Sequence, residues 1–127
     1  MRLLLDTAAL LWWIDDDRTL GSSSRAAIAD ADAEVFVSSA NAWEIALKHA
    51  LGKLDVDFDI SDEVAKNEFL ELPITVGHAV AAAALPMHHK DPFDRMLVAQ
   101  AQLEDLTLVS SDAEIAKYDV ALLDART

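Results

Sequence analysis

Four acidic residues stand at comparable places in the chain, each at the end of a predicted strand or near the start of a predicted helix: Asp6, Glu44, Asp94 and Asp112. Carboxylate oxygens are the ligands that hard divalent cations such as Mg²⁺ and Mn²⁺ prefer. Acids held close together in a poorly hydrated cleft cannot all ionise unless a positive charge compensates them. If the fold brings these four together, they predict a site for a divalent cation.

Each of these acids also has a purely structural interpretation. Asp6 can cap the helix that follows it, and Glu44 can pair with Lys48 one helical turn later. Asp94 and Asp112 can each stand in the first turn of a helix, where a negative charge interacts favourably with the helix dipole. The joint placement of the four acids, one at each corner between strand and helix, favours a shared functional site.

The elements that would position these acids are short apolar runs that alternate with helical patterns. The predicted strands are Leu3–Leu5, Val35–Val37, Leu72–Val76, Leu106–Val109 and Val120–Leu123. The predicted helices are Thr7–Ile14, a segment through Ala26–Ile28, Trp43–Leu51, Ala79–Leu85, a segment from Pro92 through Ala101, and a short segment near Asp112. This alternation predicts an α/β fold in which a parallel sheet of about five short strands carries helices on both faces. In such folds the carboxyl ends of the strands and the amino ends of the helices share one edge, where ligands bind.

The segment Asp55–Ile60 does not fit this alternation. Its acidic and apolar residues alternate strictly, which is typical of an edge strand or an extended loop with a solvated face. It also resembles the start of a calcium-binding loop, but Ile60 and Lys66 stand where that loop requires Gly and Glu. The sequence therefore excludes calcium binding of that kind.

Aromatic residues lie within the apolar runs. Trp12, Trp13 and Phe36 are in segments predicted to pack, and Trp43 begins a stripe of apolar residues at helical spacing that continues to Leu51. Stacking on nucleic-acid bases is the alternative interpretation. Their positions favour packing or dimerisation.

Length and composition narrow the class of protein. With 127 residues, 53% of them hydrophobic, the chain suits one globular domain over residues 1–127. It has no Cys, which excludes disulfides, thiol nucleophiles and Cys-ligated zinc, and its three glycines form no phosphate-binding loop. Asp6 interrupts the apolar run near the amino terminus, which is too short to span a bilayer, so we expect a cytoplasmic protein without membrane contact.

The net charge is strongly negative. The chain has 23 acidic residues against 10 basic ones, which gives −13 at pH 7. This charge disfavours binding of nucleic acid by the chain as a whole and favours cationic partners, either metal ions or a basic protein. Solubility alone is the other explanation for such a charge.

Four segments, in this order and spacing, resemble the PIN-domain ribonucleases, and most closely the VapC-type toxins of bacterial toxin–antitoxin pairs: LLLDTAALLWW, SSANAWEIALKHALGKL, HHKDPFDRMLVAQA and LTLVSSD. The resemblance covers nearly the whole chain, and the segments around Glu44 and Asp91–Ala101 are its most specific parts. It departs from the family in one place, because Ser110 and Ser111 precede Asp112 where a Thr is common. Serine keeps the hydroxyl group.

The resemblance implies a metal-dependent endoribonuclease that hydrolyses RNA phosphodiester bonds with a water activated by Mg²⁺ or Mn²⁺. The acidic constellation of the family falls on the four acids described above, which are thereby the implied catalytic and metal-binding residues. Asp6 and Asp94 are the implied direct metal ligands. Glu44 and Asp112 are implied to hold a second ion or an ordered water.

The resemblance also implies contacts to RNA and to a protein partner. Arg95 and Ser111, which adjoin two of the acids, are the implied RNA contacts, and the run His88–Lys90 is either a further phosphate contact or a solvated loop. The implied partner is a cognate antitoxin, for which the charge of this chain predicts a basic C-terminal segment, and the implied oligomer is a homodimer. The alternative is a catalytically degenerate PIN fold that only binds a protein partner, but the presence of all four acids favours the nuclease.

Overall fold

The computed structural model describes residues 1–127 as a five-stranded parallel sheet with helices on both faces. The strands are β1 (Arg2–Leu5), β2 (Glu34–Ser38), β3 (Leu70–Leu72), β4 (Thr107–Val109) and β5 (Leu122–Leu123). The helices are α1 (Thr7–Ile14), α2 (Ser22–Ala29), α3 (Ser39–Ala50), α4 (Ile60–Lys66), α5 (Val76–Ala84) and α6 (Pro92–Glu104), and a 3₁₀ turn covers Ile115–Lys117. The strand order is β3-β2-β1-β4-β5, and every pairing is parallel. The predicted fold class is confirmed.

Strand β1 is the centre of the sheet, and its sequence explains why. Leu3, Leu4 and Leu5 are fully buried, as expected of a continuous apolar run when both faces of a parallel sheet are covered. Successive side chains of a strand point to opposite faces, so Leu3 and Leu5 pack in one core cluster and Leu4 in the other. The first cluster contains residues of α1, α2, α3 and α4, and the second contains residues of α3 and α6.

Two helix starts lie where the sequence places them and carry predicted site residues. Asp6 follows β1 directly and caps α1, because its Oδ1 accepts a hydrogen bond of 2.8 Å from the amide of Ala9. Asp91 caps α6 by accepting from the amides of Phe93, at 2.8 Å, and Asp94, at 3.1 Å. Both caps fix the direction in which the chain enters the helix. None of the helices combines the length and the apolar character needed to cross a bilayer.

The third and fifth strands differ from their predicted bounds. The predicted strand Leu72–Val76 is wrong beyond Leu72, because Pro73 cannot donate to a neighbouring strand and Thr75 caps α5. Thr75 Oγ1 accepts from the amide of His78 at 3.1 Å, and the His78 ring accepts from the amide of Thr75 at 3.0 Å. Strand β5 is shorter than predicted and covers Leu122–Leu123 only.

The segment Asp55–Asp59 is an extended loop without strand pairing, one of the two forms that its alternating pattern predicts. It leads into α4, which the sequence pattern did not predict. Asp59 caps this helix through the amide of Asp62 at 3.2 Å, and Val64 packs into the core. The predicted short helix near Asp112 is the 3₁₀ turn.

Helix α3 begins at Ser39, earlier than its apolar stripe predicts, and reaches the core through Ile45. The stripe itself faces outward: Trp43 is 62% exposed, Leu47 38% and Leu51 60%. We call these three residues the α3 stripe. They form an apolar surface that the chain does not use in its own core.

Candidate active site

The four predicted acids converge on one cleft of about 500 Å³ at the carboxyl edge of the sheet. They reach it from four different corners of the fold. Asp6 follows β1, Glu44 lies in the second turn of α3, Asp94 lies in the first turn of α6, and Asp112 lies in the segment after β4. Asp91, the cap of α6, lines the same cleft. The convergence follows from parallel topology, which collects strand ends and helix starts at one edge.

Asp6 is buried and is 5% exposed, as is Glu44. One carboxylate oxygen is occupied by the amide of Ala9, and Ser110 also hydrogen bonds to the side chain. Burial raises the pKa of Asp6 to about 6, and the nearby charges of Asp112 and Glu44 act in the same direction. The two hydrogen bonds oppose this increase without cancelling it. The folded site therefore favours the protonated form of Asp6 up to about pH 6.

Asp94 is half-buried and has the more strongly raised pKa. Burial raises the pKa of Asp94 to about 7, the charges of Asp91, Asp6 and Glu44 add to the increase, and a hydrogen bond from His89 opposes it. His89 Nε2 lies 2.8 Å from Asp94 Oδ2. The helix position of Asp94 alone, in the first turn of α6, would stabilise its charge. Desolvation and neighbouring acids outweigh the dipole here.

Glu44 is buried and is held by two donors. Thr7 Oγ1 donates to its Oε1 at 2.6 Å, and Lys48 Nζ lies 2.5 Å from its Oε2. Thr7 is fixed in turn by Asn41, whose Nδ2 donates to the threonine hydroxyl at 3.0 Å. The pKa of Lys48 is raised because its ammonium donates to Glu44. Lys48 therefore neutralises Glu44, as the i, i+4 spacing predicts, while Thr7 and Asn41 were not predicted from the sequence.

Asp112 uses its two oxygens differently. Oδ1 accepts from the amides of Glu114, at 2.7 Å, and Ile115, at 3.3 Å, which caps the 3₁₀ turn. Oδ2 faces the cleft and lies 3.5 Å from His89 Nε2. The hydroxyl of Ser110 accepts from the amide of Asp112 at 3.1 Å and fixes its main chain. Asp112 is thus both a cap and a cleft residue, so its two interpretations are compatible.

His89 stands between two of the acids. Its Nε2 and one carboxylate oxygen each of Asp94 and Asp112 all lie within 4.8 Å of one another. In the sequence, His89 belongs to the basic run His88–Lys90, which is either a phosphate contact or a solvated loop. The one sequence signal that could have indicated His89 as a site residue is its position five residues before Asp94. The two residues are separated by the turn that Asp91 caps.

The donor set fits a divalent cation. Carboxylate oxygens and an imidazole nitrogen are ordinary ligands of such ions. Burial, and to a smaller extent neighbouring acids, raise the pKa values of Asp6 and Asp94, so a bound cation would stabilise both carboxylates. Lys48 is committed to Glu44, so it does not supply the missing charge at the other acids. Asp6, Asp94 and Asp112 are the residues best placed to hold the ion.

The structure contradicts the prediction that Arg95 contacts RNA. Its side chain is 7% exposed and is not one of those that line the cleft. The guanidinium donates to the main-chain carbonyls of Ala82 at 2.9 Å, Leu85 at 3.1 Å and Pro86 at 3.0 Å. Neighbours in a helix point about 100° apart, so adjacency to Asp94 in sequence does not bring Arg95 to the site.

Ser111 lines the cleft, but its hydroxyl already has partners. Ser111 Oγ donates to Asp124 Oδ1 at 2.7 Å and accepts from the amide of Arg126 at 3.0 Å. The guanidinium of Arg126 lies 5.4 Å from the ring centre of Trp12, and both residues line the cleft. Ser111 therefore positions the segment that carries Arg126. Lys53 also lines the cleft. The sequence pattern identified neither of these two cations as a site residue.

The chain resembles known proteins both in sequence and in structure. Residues 3–121 match the model of the PIN domain family. A toxin–antitoxin complex from Klebsiella pneumoniae is similar in structure, with a TM-score of 0.69, 18% identity, and 97% of each chain covered. VapBC2 from Rickettsia felis, bound to a DNA fragment from its promoter, has a TM-score of 0.67 at 12% identity and covers 97% of this chain and 98% of that chain. FitAcB from Neisseria gonorrhoeae has a TM-score of 0.58 at 18% identity, with 97% of each chain covered.

The identities to these solved structures are low, so the likeness shows a shared fold. A search of curated proteins found no match. The family match covers residues 3–121 and includes every element from β1 to the 3₁₀ turn, with all four cleft acids. This chain belongs to the PIN domain family.

Proposed function

We propose that this protein is a metal-dependent endoribonuclease and the toxin of a toxin–antitoxin pair. The observation that carries the proposal is the convergence of four carboxylates on one cleft of a PIN fold. The similar structure from Klebsiella pneumoniae is a toxin–antitoxin complex, which supports the assignment of a partner. We take residues 1–127 as one catalytic unit, because the elements that supply the four acids all belong to one sheet and its covering helices.

We assign the four acids two roles, metal binding and orientation of a water. Asp6, Asp94 and Asp112 all line the cleft, the last two with clustered ligand atoms, and would bind Mg²⁺ or Mn²⁺. Both oxygens of Glu44 already accept hydrogen bonds, which suits this residue to orient a water. When bound, the divalent cation supplies Lewis acidity toward water and toward the oxygens of the phosphate under attack. The chain contributes the fixed positions of these ligands and needs no nucleophilic side chain.

Cations at the rim of the cleft would hold the RNA. Lys53 and Arg126 both line the cleft and are exposed, so they replace Arg95 as the proposed phosphate contacts. Ser111 contributes by holding the main chain of Arg126. Contacts of this kind position a phosphate backbone without reading its sequence. They also allow a chain of strongly negative total charge to approach RNA at one place.

The direct test is RNA cleavage by the purified protein. We expect cleavage of structured RNA with Mg²⁺ or Mn²⁺, no cleavage in EDTA, and loss of turnover in Asp6→Asn and Asp94→Asn. Asparagine caps helices as well as aspartate does, so Asp6→Asn keeps the start of α1. Asp119→Asn, an exposed acid away from the cleft, is the matched control and should cleave like the wild type. Undiminished cleavage by the two cleft variants would refute the nuclease assignment and favour a degenerate fold that acts only by binding.

The proposed partner is a cognate antitoxin whose basic C-terminal segment covers the cleft. The acids of the cleft offer an electrostatic anchor for a Lys or Arg of that segment. The α3 stripe lies on the same helix as two side chains that line the cleft, Glu44 and Lys48. An amphipathic helix laid along α3 would cover the stripe and bring a basic side chain to the acids.

Two further assignments complete the proposal. The homodimer implied by the family resemblance stays a prediction, for which the molar mass of the purified protein in solution is the test. A ribonuclease toxin acts where cellular RNA is found, so we place its action in the cytoplasm.

A further inference from the structure

We propose that His89 is a ligand of the divalent cation, beside Asp94 and Asp112, and that its nitrogen makes the site select Mn²⁺ over Mg²⁺. The inference rests on the metal dependence proposed above and names a residue outside the four acids. The ligand atoms of these three side chains face one another within 4.8 Å, with Nε2 of His89 2.8 Å from Asp94 and 3.5 Å from Asp112.

The main chain that carries the imidazole is held in place by two buried side chains. The amide of His89 donates to the hydroxyl of Tyr118 at 3.0 Å, and its carbonyl accepts from Arg95 Nη1 at 3.3 Å. Arg95 also donates to Tyr118, and Tyr118 donates to the carbonyl of Pro86 at 2.8 Å. Both of these side chains are less than a tenth exposed. The main chain of His89 is therefore fixed at both its amide and its carbonyl, and the ring lies beside the two acids.

The ring atom that faces the acids is Nε2, which hydrogen bonds to Asp94 in the absence of an ion. Nδ1 has a single, long contact of 3.5 Å with the amide of Asp91, at the limit of a hydrogen bond, so it does not fix the tautomer. Nε2 points at the two carboxylates and is the atom available to an ion between them. An ion there would take two oxygens and one nitrogen from two corners of the fold, the start of α6 and the segment after β4.

A nitrogen ligand changes which ion the site prefers. Mg²⁺ favours oxygen ligands and keeps several of its waters, whereas first-row transition ions accept imidazole readily. A site built only from the four acids would bind Mg²⁺ and Mn²⁺ through the same oxygen ligands. With His89 included, the site gains affinity for Mn²⁺ that Mg²⁺ does not share.

The other role open to His89 predicts the opposite result. If it were only a cation that compensates the carboxylates, it would compete with a metal ion, and its removal would tighten metal binding. If it is a ligand, its removal weakens the binding of Mn²⁺. The sign of the change separates the two roles.

The experiment measures binding of Mn²⁺ and of Mg²⁺ to the RNA-free protein by titration calorimetry, in the wild type and in His89→Gln. Glutamine keeps a polar group of similar reach but offers oxygen in place of nitrogen. We expect the affinity for Mn²⁺ to fall about tenfold or more, and the affinity for Mg²⁺ to change less than about threefold. His88→Gln is the matched control, because that neighbour is exposed and packs on the edge of Tyr118, and it should change neither affinity.

A spectroscopic measurement on the wild type makes the test independent of any variant. Pulsed electron paramagnetic resonance of bound Mn²⁺ in protein labelled with ¹⁵N-histidine should show one coupled nitrogen, which His89→Gln removes. Absence of that coupling, or binding of Mn²⁺ by His89→Gln as tight as by the wild type, overturns the inference. RNA cleavage by the wild type decides the proposed function separately. A protein that cleaves RNA without nitrogen coupling refutes only the role of His89, and one that neither binds a cation nor cleaves RNA refutes both.

Discussion

The protonation of Asp6 and Asp94 depends on where the fold places their carboxylates. Clustered acids predict raised pKa values through mutual repulsion, and the direction is the one found. The larger cause is different, since burial accounts for more of the increase at both residues than the neighbouring charges do. A sequence shows how many acids meet at an edge but not how far each is withdrawn from water.

These raised pKa values give the metal-free protein a defined pH dependence. An acid whose folded pKa is raised binds more protons in the folded state, so its contribution to stability is complete below the unfolded pKa and is lost as pH rises through the folded value. The window runs from the usual pKa of 3.8 to about 6 for Asp6 and to about 7 for Asp94. Above pH 7 both acids are ionised and oppose folding unless a cation is bound.

We therefore expect Asp94→Asn to stabilise the protein in EDTA at pH 8 and to have little effect at pH 4. The expected gain in the free energy of unfolding at pH 8 is on the order of 1 kcal/mol, since the variant removes a buried charge. Urea denaturation at the two pH values measures it, with Asp119→Asn as the control. Added Mn²⁺ should stabilise the wild type and not Asp94→Asn. A variant clearly less stable than the wild type at pH 8 in EDTA would contradict the clustering of charge.

Side chains that only position others were harder to predict than the acids. Asp6, Glu44, Asp94 and Asp112 follow strands or open helices, so the topology brings them together. Thr7 orients Glu44 across a sequence separation of 37 residues, a pairing that local patterns do not contain. Short polar residues such as Thr7 have many structural uses, and only the packing of α1 against α3 selects this one.

At the scale of elements, Arg95 joins the end of α5 to α6. The last carbonyls of a helix have no partners within it and carry the negative end of its dipole. Arg95 donates to the carbonyls of Ala82 and Leu85 there, and to Pro86 in the loop beyond. No carboxylate is paired with this guanidinium, so the carbonyls and the helix end stabilise its charge. The same group holds the loop that leads to His89.

Arg95→Met should therefore destabilise the fold by about 2–3 kcal/mol, because it removes the hydrogen bonds that a buried guanidinium donates to the carbonyls at the end of α5. The free energy of unfolding from urea denaturation measures the loss. Arg18→Met, at an exposed arginine, is the control and should stay within about 0.5 kcal/mol of the wild type. An Arg95→Met protein of unchanged stability but weaker RNA binding would restore the original assignment of Arg95 as an RNA contact.

Helices and strands were predictable where capping residues and the apolar pattern indicated the same bounds. They were not predictable where contacts with distant parts of the chain determine the structure. Thr7–Ile14 has the predicted bounds because an apolar run follows a capping acid, and α6 starts at Pro92 for the same reason. Helix α4 is seven residues long and contributes one fully packed side chain, Val64, so its periodic signal is too short to recognise. The alternation of Asp55–Ile60 is a true pattern of exposure, but no strand edge lies beside it to pair with.

At the scale of the whole molecule, charge and apolar surface are distributed unevenly. The net charge of −13 includes five acids gathered at one cleft. The α3 stripe, on the helix that carries Glu44 and Lys48 of that cleft, exposes a tryptophan and two leucines. Scattered single apolar residues are normal on a surface, whereas a row of three along one helix indicates an interface. A partner that covers both features must be basic and apolar along the same segment.

We expect expression of this chain alone to arrest bacterial growth, and co-expression of a small basic protein encoded beside it to relieve the arrest. Opposite charges speed association and fix its register, and the apolar stripe supplies area for a stable complex. Trp43→Ser combined with Leu47→Ser should retain RNA cleavage and lose inhibition by the partner, because both side chains lie outside the cleft. Growth curves and inhibition of the purified enzyme measure the two effects.

The controls for this prediction separate the cleft from the surface. Val80→Ser removes an apolar side chain of similar exposure on α5, 66% against 62% for Trp43, and should leave inhibition unchanged. Asp94→Asn should not arrest growth, yet should still bind the partner through the α3 stripe. Arrest by Asp94→Asn as strong as by the wild type would place toxicity outside the cleft. A strongly acidic partner would remove the electrostatic basis of the complex, since like charges repel and slow association.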